Sequence, residues 1–108
     1  MVARAYSSAI RPIALGRDLL RFVDELDQHA AIPPCFVIHL HADDHDAFAD
    51  VERHLVRELA EAVTQHAEQQ GYQHAGPISV VLSTTENILK GTFSISSANP
   101  DAQPLAVE

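Results

Sequence analysis

CFVIHL, residues 35–40, alternates so that Phe36, Ile38 and Leu40 point one way while Val37, His39 and His41 point the other. The pattern predicts a strand with one apolar face, and such a face needs a second layer. The flanking sequence supplies it. Downstream, Asp43 or Asp44 is placed to cap a long helix on which Phe48, Val51, Leu55, Leu59, Ala62, Val63 and His66 recur at three- and four-residue steps. Gly71 suits the left-handed residue that closes this helix, with Tyr72 folding back on its last turn. Upstream, Ile32, Pro33 and Pro34 form a rigid connector, preceded by PIALGRDLLRFVDELDQ, a helix opened by Pro12 and ending near Gln28.

On that helix Ile13, Leu15, Leu19, Leu20, Phe22, Val23 and Leu26 sweep an arc of roughly 180°, wider than one sheet requires. Residues Val2 to Ile10 predict a shorter first helix with Val2, Tyr6 and Ile10 on one side, the nearest cover for the excess. After Pro77, ISVVLS and TFSIS read as two more strands, Ile78, Val80 and Leu82 facing inward. Lys90 and Gly91 reverse the chain, which predicts an antiparallel hairpin of the last two strands. The expected architecture is two-layer α+β, α-α-β-α-β-β, with helices packed on one face of a small three-stranded sheet and a right-handed crossover between the first two strands. Val37, His39, Val81 and Ser94 then face solvent or a partner. The domain is expected over residues 1–98, with 99–108 a flexible tail.

Composition narrows the function classes. A chain of 108 residues holds one core, and a net charge of −8 repels phosphate backbones and anionic headgroups, so nucleic acid and membrane surfaces are disfavoured partners. There is no apolar run of the ~18 residues that would predict membrane insertion, and a cytoplasmic protein is expected. The single cysteine, Cys35, excludes an internal disulfide.

His39 to Asp46, HLHADDHD, packs three imidazoles and three carboxylates into eight residues. Two positions apart on a strand is ~6.6 Å, so His39 and His41 share a face and are placed to hold one ion, with His45 or an acid from Asp43 to Asp46 as third ligand. Neither HExxH nor EF-hand spacing accompanies them, and a solvated strand end running into a helix cap explains the same residues. His66 falls in the middle of its helix's apolar arc and is expected buried and neutral, without a carboxylate spaced to work with it. Ser83, Thr84 and Thr85 lack a nucleophile elbow, and Cys35 lacks a basic neighbour or helix N-terminus to form a thiolate. The four glycines, Gly16, Gly71, Gly76 and Gly91, are isolated and build no phosphate cradle.

ARAYSSAIRPIALGRDLL, the strand CFVIHL entered after proline, LVRELAEAVTQHAEQQGYQHAGPISVVL and GTFSISS together resemble the N-terminal domain of actinobacterial FhaA-like proteins. In the full-length members that domain precedes a linker and a forkhead-associated domain. The likeness runs from about Ala3 to Ser97, and QHAEQQGY followed by GP is its most specific part. It implies a structural role for His66, Gly71, Tyr72, Gly76 and Pro77. It also implies a small module without known catalysis, placed beside Ser/Thr kinase signalling and control of cell-wall synthesis, and it carries over no catalytic residue.

The expectation is a non-enzymatic protein-interaction or oligomerisation module with no cofactor, pairing with a protein partner or as a homo-oligomer through Val2, Tyr6 and Ile10. The alternative is a small metal-binding or metal-sensing protein using His39, His41 and nearby acids. A third reading makes the Ser83, Thr84 and Thr85 loop a kinase substrate.

Overall fold

In a computed structural model, which describes residues 10–26, 30–74 and 76–98, helix α1 spans Pro12–Asp24 with proline in its first turn. The ring lacks an N–H at a position where no intrahelical acceptor exists. Leu15, Leu19 and Val23, four residues apart on one face, are fully buried, whereas Leu20, Phe22 and Leu26 on the flanks are half-buried and Ile13 is exposed. The helix stops at Asp24, short of Gln28. Val2 and Tyr6, most of the expected first helix, Gln28 itself and the 99–108 tail lie outside the described residues.

Strand β1, Cys35–Leu40, follows as the alternation requires: Phe36, Ile38 and Leu40 are buried on one side. Two further strands, β2 (Ser79–Thr84) and β3 (Phe93–Ala98), complete the sheet. The order is β2-β1-β3, with β2 parallel and β3 antiparallel to the central β1. Ile38 thus lies between Leu82 and Ile95. The expected hairpin of the last two strands is therefore corrected: β2 and β3 are not neighbours. The centre buries most, so it goes to the most apolar strand, and the serine-rich SVVLST and FSISSA take the rims.

Between β1 and β2 the helical stretch is broken. Helix α2, Ala42–Ala47, ends at the buried Phe48, a single 3₁₀ turn follows over Ala49–Val51, and helix α3 runs Glu52–Gln70. Val51, expected on the apolar stripe, lies in that turn and is exposed. Leu55, Leu59, Val63 and Ala67 form the buried stripe of α3. Gly71 closes it at φ +76°, and Tyr72 N–H returns 2.8 Å to the Ala67 carbonyl, the left-handed cap that a Cβ would strain. Helix α3 lies over β2 and α1 packs on α3, so both helices share one face of the sheet. The entries of β1 and β2 are tied together by Ile32 N–H to the Gln73 carbonyl and Ser79 N–H to the Pro34 carbonyl, each 2.8 Å.

Candidate functional site

The histidine-rich run disperses as the chain turns. Strand β1 stops at Leu40, so His41 leaves the face it would share with His39 and becomes the N-cap of α2, its Nδ1 accepting from Asp43 N–H at 3.0 Å. Asp43 and Asp44, the expected caps, sit inside the first turn instead. His39 stays on the sheet face away from the helices, 2.8 Å from Ser96 Oγ through Nε2 and 3.2 Å from Thr85 Oγ1 through Nδ1. His45 Nε2 donates to Glu52 Oε1 at 3.0 Å, and its Nδ1 lies 2.7 Å from Thr84 Oγ1. Among the described residues no group of three or more His, Cys, Asp or Glu side chains is placed to hold a metal ion. Ser83 and Thr84 belong to β2 rather than to a loop, and the Thr84 and Thr85 hydroxyls are taken by His45 and His39.

Asp44 is the residue that sequence reasoning undervalued. It is fully buried, and its Oδ2 accepts the Gly91 N–H at 2.6 Å. Gly91 stands at φ +87° in the turn before β3, so this bond fixes the reversal that delivers β3 to the far side of β1. Lys90 adds an exposed ion pair to Asp43 at 3.6 Å, a contact of little energetic weight.

His66 does not meet its expectation of burial among apolar side chains. Its side chain is 18% exposed, and Nε2 donates to Asp24 Oδ1 at 2.7 Å. Tyr72 Oη donates to the same oxygen at 2.7 Å and meets the imidazole edge-to-face at 6.0 Å. The flank of α3 that carries His66 faces the end of α1 rather than the sheet, which is why a carboxylate distant in sequence is its partner. The Tyr72 hydroxyl, then His66, hold the Asp24 carboxyl below its ordinary value of 3.8. These three side chains fasten the C-terminal ends of α1 and α3 to each other.

The remaining feature is a surface. On the sheet face that carries no helix among the described residues, Val37 of β1 sits beside Val81 of β2 and Ser96 of β3, and Val81 is 43% exposed. Cys35, His39, Ser79, Ser83 and Ser94 frame the pair, giving a small apolar centre in a hydroxyl-rich surround. The expectation that Val37, His39, Val81 and Ser94 face away from the helices is met. Ile10, by contrast, is 6% exposed and belongs to the core cluster, so its side chain is already occupied within this chain. No helix among the described residues is long and apolar enough to cross a membrane.

No match is found among the curated proteins. The solved structure described as "Rv0020c_Nter structure" is similar in fold, with a TM-score of 0.68 at 19% sequence identity over 93% of this chain and 89% of that one. The family described as FhaA, N-terminal domain, matches residues 1–96. The chain belongs to the FhaA N-terminal domain family.

Proposed function

We propose that this domain is a non-enzymatic protein-interaction module of the kind that accompanies forkhead-associated signalling proteins, linked to Ser/Thr kinase signalling and cell-wall regulation in the cytoplasm. One observation carries the reading. Among the described residues the sheet has helices on one face only, and the other presents Val37 and Val81 inside a ring of serines and His39. A flat, weakly polar face with an apolar centre suits a protein partner, because its desolvation is cheap and its hydroxyls re-form hydrogen bonds at a rim. Membership in a family named for the N-terminal domain of FhaA supports the signalling setting. The polar groups a reaction would draw on are engaged in ways that build the fold: His39 with the Ser96 hydroxyl, His45 with Thr84 and Glu52, and His66 with Asp24.

The test is Val81→Glu on the rim strand, checked for folding by circular dichroism and urea midpoint. Affinity capture from native cells should lose the specific partner with the folded variant and keep it with the unmutated chain. Undiminished capture by Val81→Glu refutes this face. Sedimentation at high micromolar concentration decides whether the partner includes a second copy.

A further inference from the structure

The two rims of the sheet are unequally roofed. On the helix side, Val80 and Leu82 of β2 are buried, whereas Phe93 and Ile95 of β3 are only half-buried. Helix α3 lies over β2, and α1 leans on α3 rather than closing over β3. An open groove of ≈ 240 Å³ remains between α1 and β3, its strand wall formed by Phe93 and Ile95. The helix wall is Asp18, Arg21, Phe22 and Glu25, positions at i, i+3, i+4 and i+7 that share one helix face.

At the lip of the groove β3 offers backbone. Among the described residues it pairs with β1 alone, so alternate N–H and C=O groups point out of the sheet. FSISSA contains no charge and no proline, and its register against β1 runs one-to-one without a bulge. Charge, proline and a bulge, three of the devices that blunt an edge, are therefore missing from this strand. Strand β2 differs, being bounded by Pro77 before its start and by the His45 contact to Thr84 at its end.

Charge selects the occupant. Asp18 and Arg21 neutralise each other at 3.5 Å, while Glu25 is exposed and makes no ion pair among the described residues. The unbalanced charge of the groove is thus a carboxylate, on a chain of net charge −8. A second copy would bring the same carboxylate and the same net charge to the contact, whereas a cationic strand gains from both.

We propose that β3 accepts an extended basic peptide segment of another protein as a fourth strand, with apolar side chains over Phe22, Phe93 and Ile95 and a Lys or Arg at Glu25. Main-chain hydrogen bonds supply the affinity and the groove supplies the selection for alternate side chains. The site lies on the helix side of the sheet, away from Val37 and Val81, and stands independently of the open-face reading.

The experiment titrates the full chain with a synthetic peptide of about seven residues alternating Lys and Val, long enough to pair with one strand, followed by amide NMR shifts and hydrogen exchange. Shifts should concentrate on Phe93 to Ala98 and on Asp18 to Glu25, with slowed exchange at alternate β3 amides. Affinity should fall about tenfold or more when Glu replaces Lys in the peptide or when alternate peptide nitrogens are methylated, because the first reverses the charge and the second removes strand donors. Glu25→Gln, a surface change that leaves folding intact, should weaken the Lys–Val peptide several-fold and leave a Ser–Val peptide unaffected. Three outcomes overturn the proposal: equal binding of Lys and Glu peptides, shifts confined to other surfaces or absent at millimolar peptide, and β3 protection that rises with protein concentration alone. The last would assign the edge to a second copy.

Discussion

Strands β2 and β3 flank the same central strand over the same six positions, and neither carries a charged residue. Their inner faces nevertheless end at different depths: Leu82 is 7% exposed, and Ile95, across Ile38 from it, is half-buried. The difference follows from connectivity. The chain from β1 to β2 has to cross over, and it carries α3, 19 residues and about 28 Å of helix, across those two strands. Strand β3 arrives by a loop and brings no helix of its own. What roofs it is the margin of α1, whose buried stripe is spent on α3 and the core. Coverage in a domain this small is decided by which connections are helical, and the uncovered rim is where a partner finds backbone and apolar surface together.

The largest expected effect measures that asymmetry directly. Leu82→Ala should cost about 3 kcal/mol, a fully packed leucine lost with a cavity left behind, while Ile95→Ala should cost about 1–1.5 kcal/mol because part of its surface is already wet. Urea unfolding of the two variants reads the gap, and equal losses would mean that β3 is as well roofed as β2. Next is Asp44→Ala, expected to cost about 2–3 kcal/mol through the lost carboxyl acceptor and a stranded Gly91 N–H. Hydrogen exchange should show its damage on β3 amides before β2 amides, since the Asp44 bond holds the loop that places β3. Uniform loss of protection across the sheet would remove Asp44 from that role.

The elements were legible in the sequence because each is set locally. Pro12, the alternation of CFVIHL and the glycine after Gln70 act within a few residues of themselves, and all three stand where they were read. Strand order was not legible from alternation, which says which side chains share a face and nothing about which strand lies alongside. Loop length was the usable signal: Thr85–Thr92 exceeds the two to five residues or so of an ordinary hairpin, as a connection passing the end of β1 must. At the site, the outward set Val37, His39 and Val81 followed from parity. The Asp24 partnership of His66 did not, because it joins two helix ends whose approach is fixed only by tertiary packing. Asp44 was hidden among neighbouring acids that all serve equally well as cap candidates on paper.

A smaller effect belongs to the tie between the helices of the roof. Asp24→Asn should cost about 1 kcal/mol near neutral pH, two partly exposed hydrogen bonds losing their charged acceptor. The sign with pH is fixed by the lowered carboxyl: its contribution is fully present above the ordinary value of 3.8 and is lost as pH falls through the lower folded value. The difference between the unmutated chain and Asp24→Asn should therefore close in acid. A gap that persists unchanged well below pH 3.8 would show that the two bonds do not depend on the ionised carboxylate.

The smallest effect is expected at Val81, and it comes from reading β2 on its two faces with one chemical change. Valine to threonine preserves shape and branching at Cβ, so strand preference is nearly constant and the added hydroxyl reports whether its surroundings are wet. Val80 is 4% exposed beneath the helices, where a hydroxyl without a partner costs about 1–3 kcal/mol. Its neighbour Val81 looks out from the open face beside Val37, and Val81→Thr should stay within about 0.5 kcal/mol, as surface changes do. Because Val81→Thr also removes apolar contact from the centre of that face, a bound protein partner should lose affinity while the urea midpoint holds. A stability cost at Val81 equal to that at Val80 would mean that the face is covered in the free protein, leaving the β3 rim as the exposed docking edge.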